Sequence, residues 1–390
     1  MIDIVKTPIE NAVLFNNSPI EIIVDSIRGA DYYFRLLVRV DNEDYDFQQH
    51  SKIDDFRCII DFKNDISDVF LAEFNPTVTN GIHQLTGLTK EVSLIVREYE
   101  KTTNTQVDEL ELPPFFLVNA DNNTELVLNQ LTPLSIYDTK LKVPENGVIT
   151  FPFFTTQDVT AKLFINGTET LTFNQTTTRG VFTFNVLLEP LNITSSDYVE
   201  IVIADSSGPN QFTRLIEVIN PNAFITTPLA VENNFKAWEY FYCFGEKETS
   251  PSYKRHVLKQ NDLENYPYKI SRTDTFKINT GWFSKAYYKA VGAFIEALNF
   301  YYFENDSPVK AELLTKKEVT DKTLPNPLSQ NLEFKRNAPV IANDSVQYIT
   351  PPSLVNIYAS GNENIPLEVL KAEFEAAFSG VAPHTIRFPV

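Results

Sequence analysis

The sequence predicts a mainly β, multidomain protein with two tandem β-sandwich (immunoglobulin-like) domains, followed by an α+β domain and a C-terminal helical or extended arm. The chain has 390 residues, which exceeds the usual size of one hydrophobic core and favours several domains. Aromatic residues make up 13% of it, with 30 Phe and 17 Tyr, and such enrichment favours strands. Short alternating stretches separated by turn signals recur before the third region, a spacing typical of sandwich domains.

The first predicted domain covers residues 1–114. Residues 33–40 alternate between apolar and polar side chains and predict a half-buried strand, whose core face carries Phe34, Leu36, Val38 and Val40. The polar residues 41–44 predict a turn after this strand. A second alternating stretch, residues 92–97, extends the sandwich toward the proline pair at 113–114.

Residues 115–222 form the second predicted domain. Its clearest signal is a hairpin, in which strands 161–165 and 169–173 flank Asn166-Gly167. Asn-Gly supplies the positive φ angles that a type I′ turn needs. Further predicted strands are 181–188, 198–204 and 212–219, with a turn at 206–210. Short strands at this spacing indicate an immunoglobulin-like sandwich.

The third predicted domain, residues 223–340, is α+β. Apolar side chains spaced by three and four residues predict an amphipathic helix at about 284–299, between strand-like stretches at 238–244 and 300–303. Residues 341–390 form a C-terminal extension with a short helix predicted at about 366–379. Its last residues, including Ile386 and Phe388, are candidates for an extended arm that docks on a neighbour or folds back.

The composition argues against several classes of partner. The formal net charge is −18 and the isoelectric point is near 4.7, whereas nucleic-acid affinity comes from clustered Lys and Arg, so we expect no nucleic-acid binding. We expect no secretory signal in residues 1–8 and no membrane span, because neither pattern is present. Cys58 and Cys243 lie far apart in the sequence, and we expect reduced, buried thiols.

The sequence offers no catalytic, cofactor or metal signature, and we expect a protein that is not an enzyme. None of the four histidines has a ligand partner at metal-binding spacing: His50, His83, His256 and His384. One acidic cluster lacks the glycine and the distal Glu of an EF-hand loop, so a solvated hairpin turn is favoured there over a calcium site. Its members are Asp41, Glu43, Asp44 and Asp46. The 51 acidic residues select no carboxylate pair for glycoside hydrolysis.

The candidate interaction residues are aromatic. Residues 238–244 alternate ring side chains, and such rings can stack on a sugar because an aromatic face combines apolar area with a polar handle. The favoured interpretation is a strand buried in a domain core or in a subunit interface. The candidates for an interface or for glycan stacking are Trp238, Tyr240, Tyr242 and Trp282.

Several motifs follow one another in the third region. They are Trp238-Glu239-Tyr240-Phe241, Tyr268-Lys269-Ile270, Phe276 to Trp282, the predicted helix, Pro308 to Thr315, and Asn331-Leu332-Glu333-Phe334. Together they resemble structural proteins of phages and prophages of the Bacteroidota. In those proteins a W-x-Y-W/F strand, an I-N-T-G-W turn, a helix, a P-V-x-V-x-T strand and a Y-x-L-E-F strand follow β-sandwich domains in the same order. The likeness covers about residues 225–340, residues 61–69 are similar to a D-I-S-D-I-L stretch, and the chain departs from the pattern in its extension after Pro339.

The resemblance implies a tail-tip, baseplate or neck component of a virion, made in the cytoplasm of the host bacterium. Such a subunit acts through assembly with other virion and tail proteins and with copies of itself in a ring or multimer. Three alternatives stay open at this point. They are a carbohydrate-binding or receptor-binding adhesin that contacts a host surface glycan, a glycan-acting enzyme, and a component of a phage-tail-like injection system.

Overall fold

The structure is a computed structural model that describes residues 1–8, 10, 12–16, 20–50, 52, 57–62, 69–120, 128, 130–137, 140–176, 179–206, 210–260, 263–283, 287–297, 299–304, 306–315 and 329–336. The chain divides into two compact units. The first comprises residues 1–250 and 274–339, and the second comprises residues 251–273 and 340–390. The described part of the second unit is extended backbone belonging to two long strands.

The first sandwich is built mainly from antiparallel strand pairs, with a parallel pair between the strands at 13–15 and 115–118. The strands up to residue 118 are β1 (Ile2–Lys6), β2 (Val13–Phe15), β3 (Ile20–Ser26), β4 (Tyr32–Val40), β5 (Glu43–His50), β6 (Arg57–Phe62), β7 (Gly81–Gln84), β8 (Thr89–Glu100), β9 (Gln106–Glu111) and β10 (Phe115–Val118). One sheet has the order β1-β3-β6, and the other has the order β2-β10-β8-β4-β5 with β9 also paired to β8.

Alternating side chains supply the core of this sandwich, as the sequence predicts. The four expected core residues of β4 are buried: Phe34, Leu36, Val38 and Val40. They share one hydrophobic core with Ile22 and Val24 of β3 in the opposite sheet. The polar turn is confirmed at Asp41 and Asn42, which have φ angles of 48° and 71°, whereas residues 43 and 44 already belong to β5.

The second sandwich follows between residues 131 and 219. Its strands are β11 (Leu131–Pro133), β12 (Lys140–Pro144), β13 (Val148–Thr155), β14 (Val159–Ile165), β15 (Thr168–Gln175), β16 (Gly180–Leu187), β17 (Val199–Asp205) and β18 (Gln211–Ile219). The sheet orders are β11-β13-β16-β7 and β12-β18-β17-β14-β15. The hairpin prediction is confirmed, since β14 pairs with β15 and the turn residues Asn166 and Gly167 have φ angles of 52° and 78°.

The two sandwiches share one strand order. In each, a short strand pairs in parallel with the last strand, as β2 does with β10 and β12 does with β18. The next neighbours are β8, β4 and β5 in the first sandwich and β17, β14 and β15 in the second, and the opposite sheets are β1-β3-β6 and β11-β13-β16. In the lettering of immunoglobulin domains, strands A, B and E are β1, β3 and β6 in the first sandwich and β11, β13 and β16 in the second. They face strands C, F and G, which are β4, β8 and β10 in the first and β14, β17 and β18 in the second, and this is the immunoglobulin-like arrangement. The predicted tandem sandwiches are confirmed.

One strand of the connection between β6 and β8 completes the second sandwich. Strand β7 pairs antiparallel with β16, so that Gln84 lies opposite Phe182 and Gly81 opposite Asn185. The domain boundary predicted at residue 114 stays a prediction, but residues 81–84 belong to a sheet whose other strands lie beyond it. The two sandwiches are therefore interlocked as well as consecutive.

The third region is an antiparallel sheet with a helix on one face. Its elements are β19 (Thr227–Glu232), β20 (Trp238–Cys243), β21 (Lys247–Gln260), β22 (Leu263–Asn279), α1 (Tyr288–Glu296), β23 (Phe300–Glu304), β24 (Ser307–Leu313) and β25 (Asn331–Arg336). The strand order is β20-β19-β23-β24-β25-β22-β21. The ring of Phe294 in α1 lies 4.4 Å from that of Phe241 and 4.9 Å from that of Phe300. The amphipathic helix is confirmed, but it ends at Glu296, earlier than predicted, because Ala297 is extended.

One hydrophobic core joins the second sandwich to the third sheet. It contains Phe151 and Phe184 of the sandwich together with Phe241 and Phe294 of the α+β region. Strand β13 is buried on both faces because β20 lies against its outer face. In the described part of the chain, no helix is both long enough and apolar enough to cross a membrane. The helix predicted at 366–379 lies outside the described residues.

Candidate functional site

Trp238 belongs to an aromatic cluster on the third sheet. Its ring centroid lies 5.1 Å from that of Phe74 and 5.2 Å from that of Tyr301. The indole N–H donates a hydrogen bond of 2.8 Å to the Ala72 carbonyl oxygen. Phe74 and Ala72 come from the connection that leads to β7, so this connection lies against the face of the sheet opposite α1. The Trp238 ring is therefore occupied by contacts within the chain.

Tyr240 and Tyr242 project from the same strand and tie it to the second sandwich. The backbone N–H of Tyr240 donates to Thr150 Oγ1 over 2.9 Å, and burial raises the pKa of its phenol to about 12. Tyr242 is buried, and its hydroxyl accepts from the Val148 N–H over 2.6 Å and donates to the Val148 carbonyl over 3.0 Å. These contacts are structural, as the favoured interpretation of the strand expects.

Glu239, between these tyrosines, is a buried carboxyl group that the sequence did not single out. It accepts hydrogen bonds from the Ser135 hydroxyl, the Ile136 N–H and the Asn233 amide over 2.5, 2.9 and 2.5 Å. Burial raises its pKa from 4.5 to about 7, although the three donors oppose this shift. Ser135 and Ile136 belong to the second sandwich, so this network also joins the two regions.

Trp282 differs from the other three candidates because its side chain is 71% exposed. The turn before it is fixed by hydrogen bonds. The Gly281 N–H donates to Asn279 Oδ1 over 2.8 Å, and Lys142 Nζ donates to the Trp282 carbonyl oxygen over 2.6 Å. Gly281 has a φ of 73°, and a Cβ added there would lie 2.9 Å from Phe244 Cβ, so only glycine fits. The backbone at Trp282 is thus fixed by hydrogen bonds, and its indole is exposed to solvent.

Trp282 borders a cleft of about 840 Å³, which we call the Trp282 cleft. Phe224 forms a second aromatic wall and is 53% exposed. The charged residues that line it are Lys142, Lys277, Glu217, Glu246 and Glu248, and the polar lining also includes Asn279, Asn331 and Ser329. Burial lowers the pKa of the Lys142 ammonium. The cleft therefore combines exposed rings with hydrogen-bond donors and acceptors.

A second cleft, of about 710 Å³, has a different chemistry. We call it the Ile225 cleft, because Ile225 at its edge is 62% exposed. Prolines and rings dominate its lining, which includes Pro76, Pro144, Pro228, Tyr240 and Phe303. Among the described residues that line it, Asp306 alone is charged. Phe224 borders both clefts.

The structure thus separates the predicted site residues. Trp238, Tyr240 and Tyr242 lie along one strand, and the two tyrosines also line the Ile225 cleft. Trp282 borders the Trp282 cleft instead. Ile386 and Phe388 lie outside the described residues. Phe224 and Ile225 were missed because residues 220–226 form an aperiodic connection, in which exposure cannot be deduced from alternation.

Other chemistry-bearing residues form no further site in the described ranges. Within these ranges, no group of three or more His, Cys, Asp or Glu side chains is placed to hold a metal ion. Cys58 and Cys243 are free and buried, as predicted, and burial raises the pKa of Cys58 to about 11. Asp41 and Asp44 of the acidic turn pair with Lys90 and Arg39 over 2.8 and 3.0 Å.

Comparisons with known proteins show no family. No protein-family model and no curated protein matches the chain. Similar solved structures include titin immunoglobulin tandem A164-A165, at 8% identity and a TM-score of 0.26, covering 56% of this chain and 97% of that chain. Titin A168169 is 11% identical at a TM-score of 0.28, with 56% of this chain and 99% of that chain covered. Drosophila N-cadherin EC1-4 is 14% identical at a TM-score of 0.17, with 71% of each chain covered. At these scores the likeness carries no argument, and the immunoglobulin-like assignment depends on the strand order.

Proposed function

We propose that this chain is a non-catalytic structural subunit of a bacteriophage virion, a tail component at the tip, baseplate or neck that acts through protein–protein assembly. The main observation in favour of assembly is the exposed apolar surface at the Ile225 cleft. Contiguous exposed apolar surface of this kind marks sites of interaction. Ile225 and Phe224 supply that surface, and the rings of Tyr240 and Phe303 lie beside them.

The chemistry of this cleft favours a protein as its occupant. The central parts of protein interfaces are depleted in Lys, Glu and Asp and enriched in aromatic residues. The described lining of the Ile225 cleft follows that composition, since Asp306 is its one charged member. The prolines also restrict the backbone of the lining, so less conformational entropy is lost when a neighbouring subunit binds.

The assignment to a virion is supported by the resemblance of the third region to phage structural proteins. Its motifs occupy β20, the turn at residues 279–282 and β25, which are elements that build the third sheet and join it to the second sandwich. A cellular injection system built on the same parts is the nearest alternative. The neighbouring genes distinguish the two. Capsid genes next to the gene for this chain favour the phage, whereas tail genes without capsid genes favour the injection system.

Assembly through the Ile225 cleft is tested by sedimentation velocity of the purified chain over a range of concentrations. Ile225→Asp places a carboxylate in the contact and is expected to weaken self-association about tenfold or more. Ile27→Asp is the matched control, because Ile27 is 76% exposed on the first sandwich and far from this cleft in sequence. A wild-type monomer at every concentration, or an equal loss in both variants, contradicts assembly through this surface.

A further inference from the structure

The Trp282 side chain is exposed on a backbone that hydrogen bonds hold in place. The backbone carbonyl oxygen of Trp282 accepts a hydrogen bond from Lys142. A hydrogen bond from the Gly281 N–H to the Asn279 side chain closes the preceding turn. Thr280 adds a backbone hydrogen bond of 2.9 Å to the Gln330 carbonyl, and the Phe244 N–H donates to the Thr280 carbonyl over 3.1 Å. A ring presented on an ordered backbone loses little further entropy when a ligand covers it. This is the geometry expected of a binding residue.

The lining of the Trp282 cleft argues against phosphate polymers and against a protein interface. Two lysines and three glutamates line it, so it has no excess of positive charge for phosphates. Lys and Glu are also the residues that the core of a protein interface lacks. In this respect the Trp282 cleft is the opposite of the Ile225 cleft, although Phe224 borders both.

The same lining suits a neutral ligand rich in hydroxyl groups. A hydroxyl group both donates and accepts, and the cleft offers ammonium donors, carboxylate acceptors and amides that do both. Trp282 and Phe224 offer apolar faces to the C–H face of a sugar ring. The volume of about 840 Å³ falls within the range of small-molecule sites. A short saccharide meets all of these conditions.

We propose that the Trp282 cleft binds a neutral saccharide, with one pyranose ring stacked on Trp282 and with its hydroxyl groups hydrogen-bonded by Lys277, Asn331 and neighbouring carboxylates. This site is distinct from the Ile225 cleft and does not depend on the proposed assembly. A chain that fails to self-associate can still bind the sugar, and a chain that binds no sugar can still assemble.

The first test uses the intrinsic fluorescence of the full chain. The chain has two Trp residues, and Trp282 is the exposed one, whereas Trp238 packs in the aromatic cluster. Acrylamide quenching is measured with and without defined neutral oligosaccharides of glucose, galactose, mannose and N-acetylglucosamine. At least one is expected to shield Trp282 from the quencher.

Calorimetry with the shielding saccharide then locates the site. Trp282→Ala and Lys277→Ala are each expected to weaken binding about tenfold or more, and Trp282→Tyr is expected to restore part of the loss. Tyr198→Ala is the matched control, since Tyr198 is an exposed ring of the second sandwich outside the cleft lining, and it should leave the affinity unchanged. Three results overturn the proposal: no shielding by any member of the panel, binding that survives Trp282→Ala, or shielding of Trp282 by a protein subunit alone.

Discussion

Glu239 is a carboxyl group placed where the second sandwich meets the third sheet. Its oxygens accept from Ser135, Ile136 and Asn233, so its hydrogen bonds span both regions. Burial nevertheless dominates and raises the pKa of this group to about 7, because a carboxylate loses more solvation than three donors return. The proton on Glu239 is therefore part of the folded state below neutral pH.

The pKa shift of Glu239 predicts a pH dependence of stability. Between about pH 4.5 and 7 the folded chain binds more protons at this group than the unfolded chain, so the free energy of unfolding falls as pH rises through this window. The loss amounts to about 3 kcal/mol at neutral pH. Glu239→Gln keeps the shape without the titration, so its stability relative to wild type should rise by that amount from pH 4.5 to pH 7.5. Urea unfolding at a series of pH values measures the difference, and a pH-independent difference contradicts the account.

The aromatic candidates show how far residue-level reasoning from the sequence extends. Alternation in 238–244 correctly indicates a strand, and it favours the buried role that Tyr242 has. It cannot indicate that Phe74, more than 150 residues earlier in the chain, covers the Trp238 ring. Trp282 follows a turn, where period-two burial no longer applies, so its exposure is decided by Gly281 and Lys142 rather than by any local pattern.

At the scale of elements, local signals predict strands better than they predict strand pairing. The Asn166-Gly167 hairpin and the helix around Phe294 follow from turn chemistry and from periodicity, and both are present. The strand at 81–84 is four residues long and completes a sheet that forms after residue 130. A short segment carries too little pattern to identify such a distant partner, so neither β7 nor the interlocking of the sandwiches could be predicted.

The connection that carries β7 depends on a glycine. Gly87 packs against the backbone of Leu71 in the same connection. A Cβ added at Gly87 would lie 1.7 Å from the Leu71 carbonyl oxygen. Gly87→Ala is therefore expected to displace the connection and to lower the free energy of unfolding by about 2 to 3 kcal/mol. Gly29→Ala is the control, because nothing lies within 4 Å of its added Cβ, and it should change stability by less than about 0.5 kcal/mol. Denaturant unfolding compares the two, and equal effects would refute the close approach.

At the scale of the whole first unit, the two sandwiches and the part of the third sheet that belongs to this unit share buried contacts. A small cluster brings together Phe15 of the first sandwich, Phe154 of the second and Ala237 of the third region. Asn119, which follows β10, extends this junction, because its side-chain amide donates a hydrogen bond of 3.3 Å to the Asn234 carbonyl oxygen of the third region. We propose that this compact unit, with its exposed apolar surface at Ile225, serves repeated assembly.

The measurement that tests the central claim most directly is quantitative mass spectrometry of purified tailed particles from the bacterium that carries this gene. A structural subunit of a ring is expected in a fixed, multiple copy number per particle that does not change through further purification. Immunogold labelling at one end of the tail would then give its position. Absence of the chain from the particles, or a copy number that falls with each purification step, would contradict the claim that it is part of the virion.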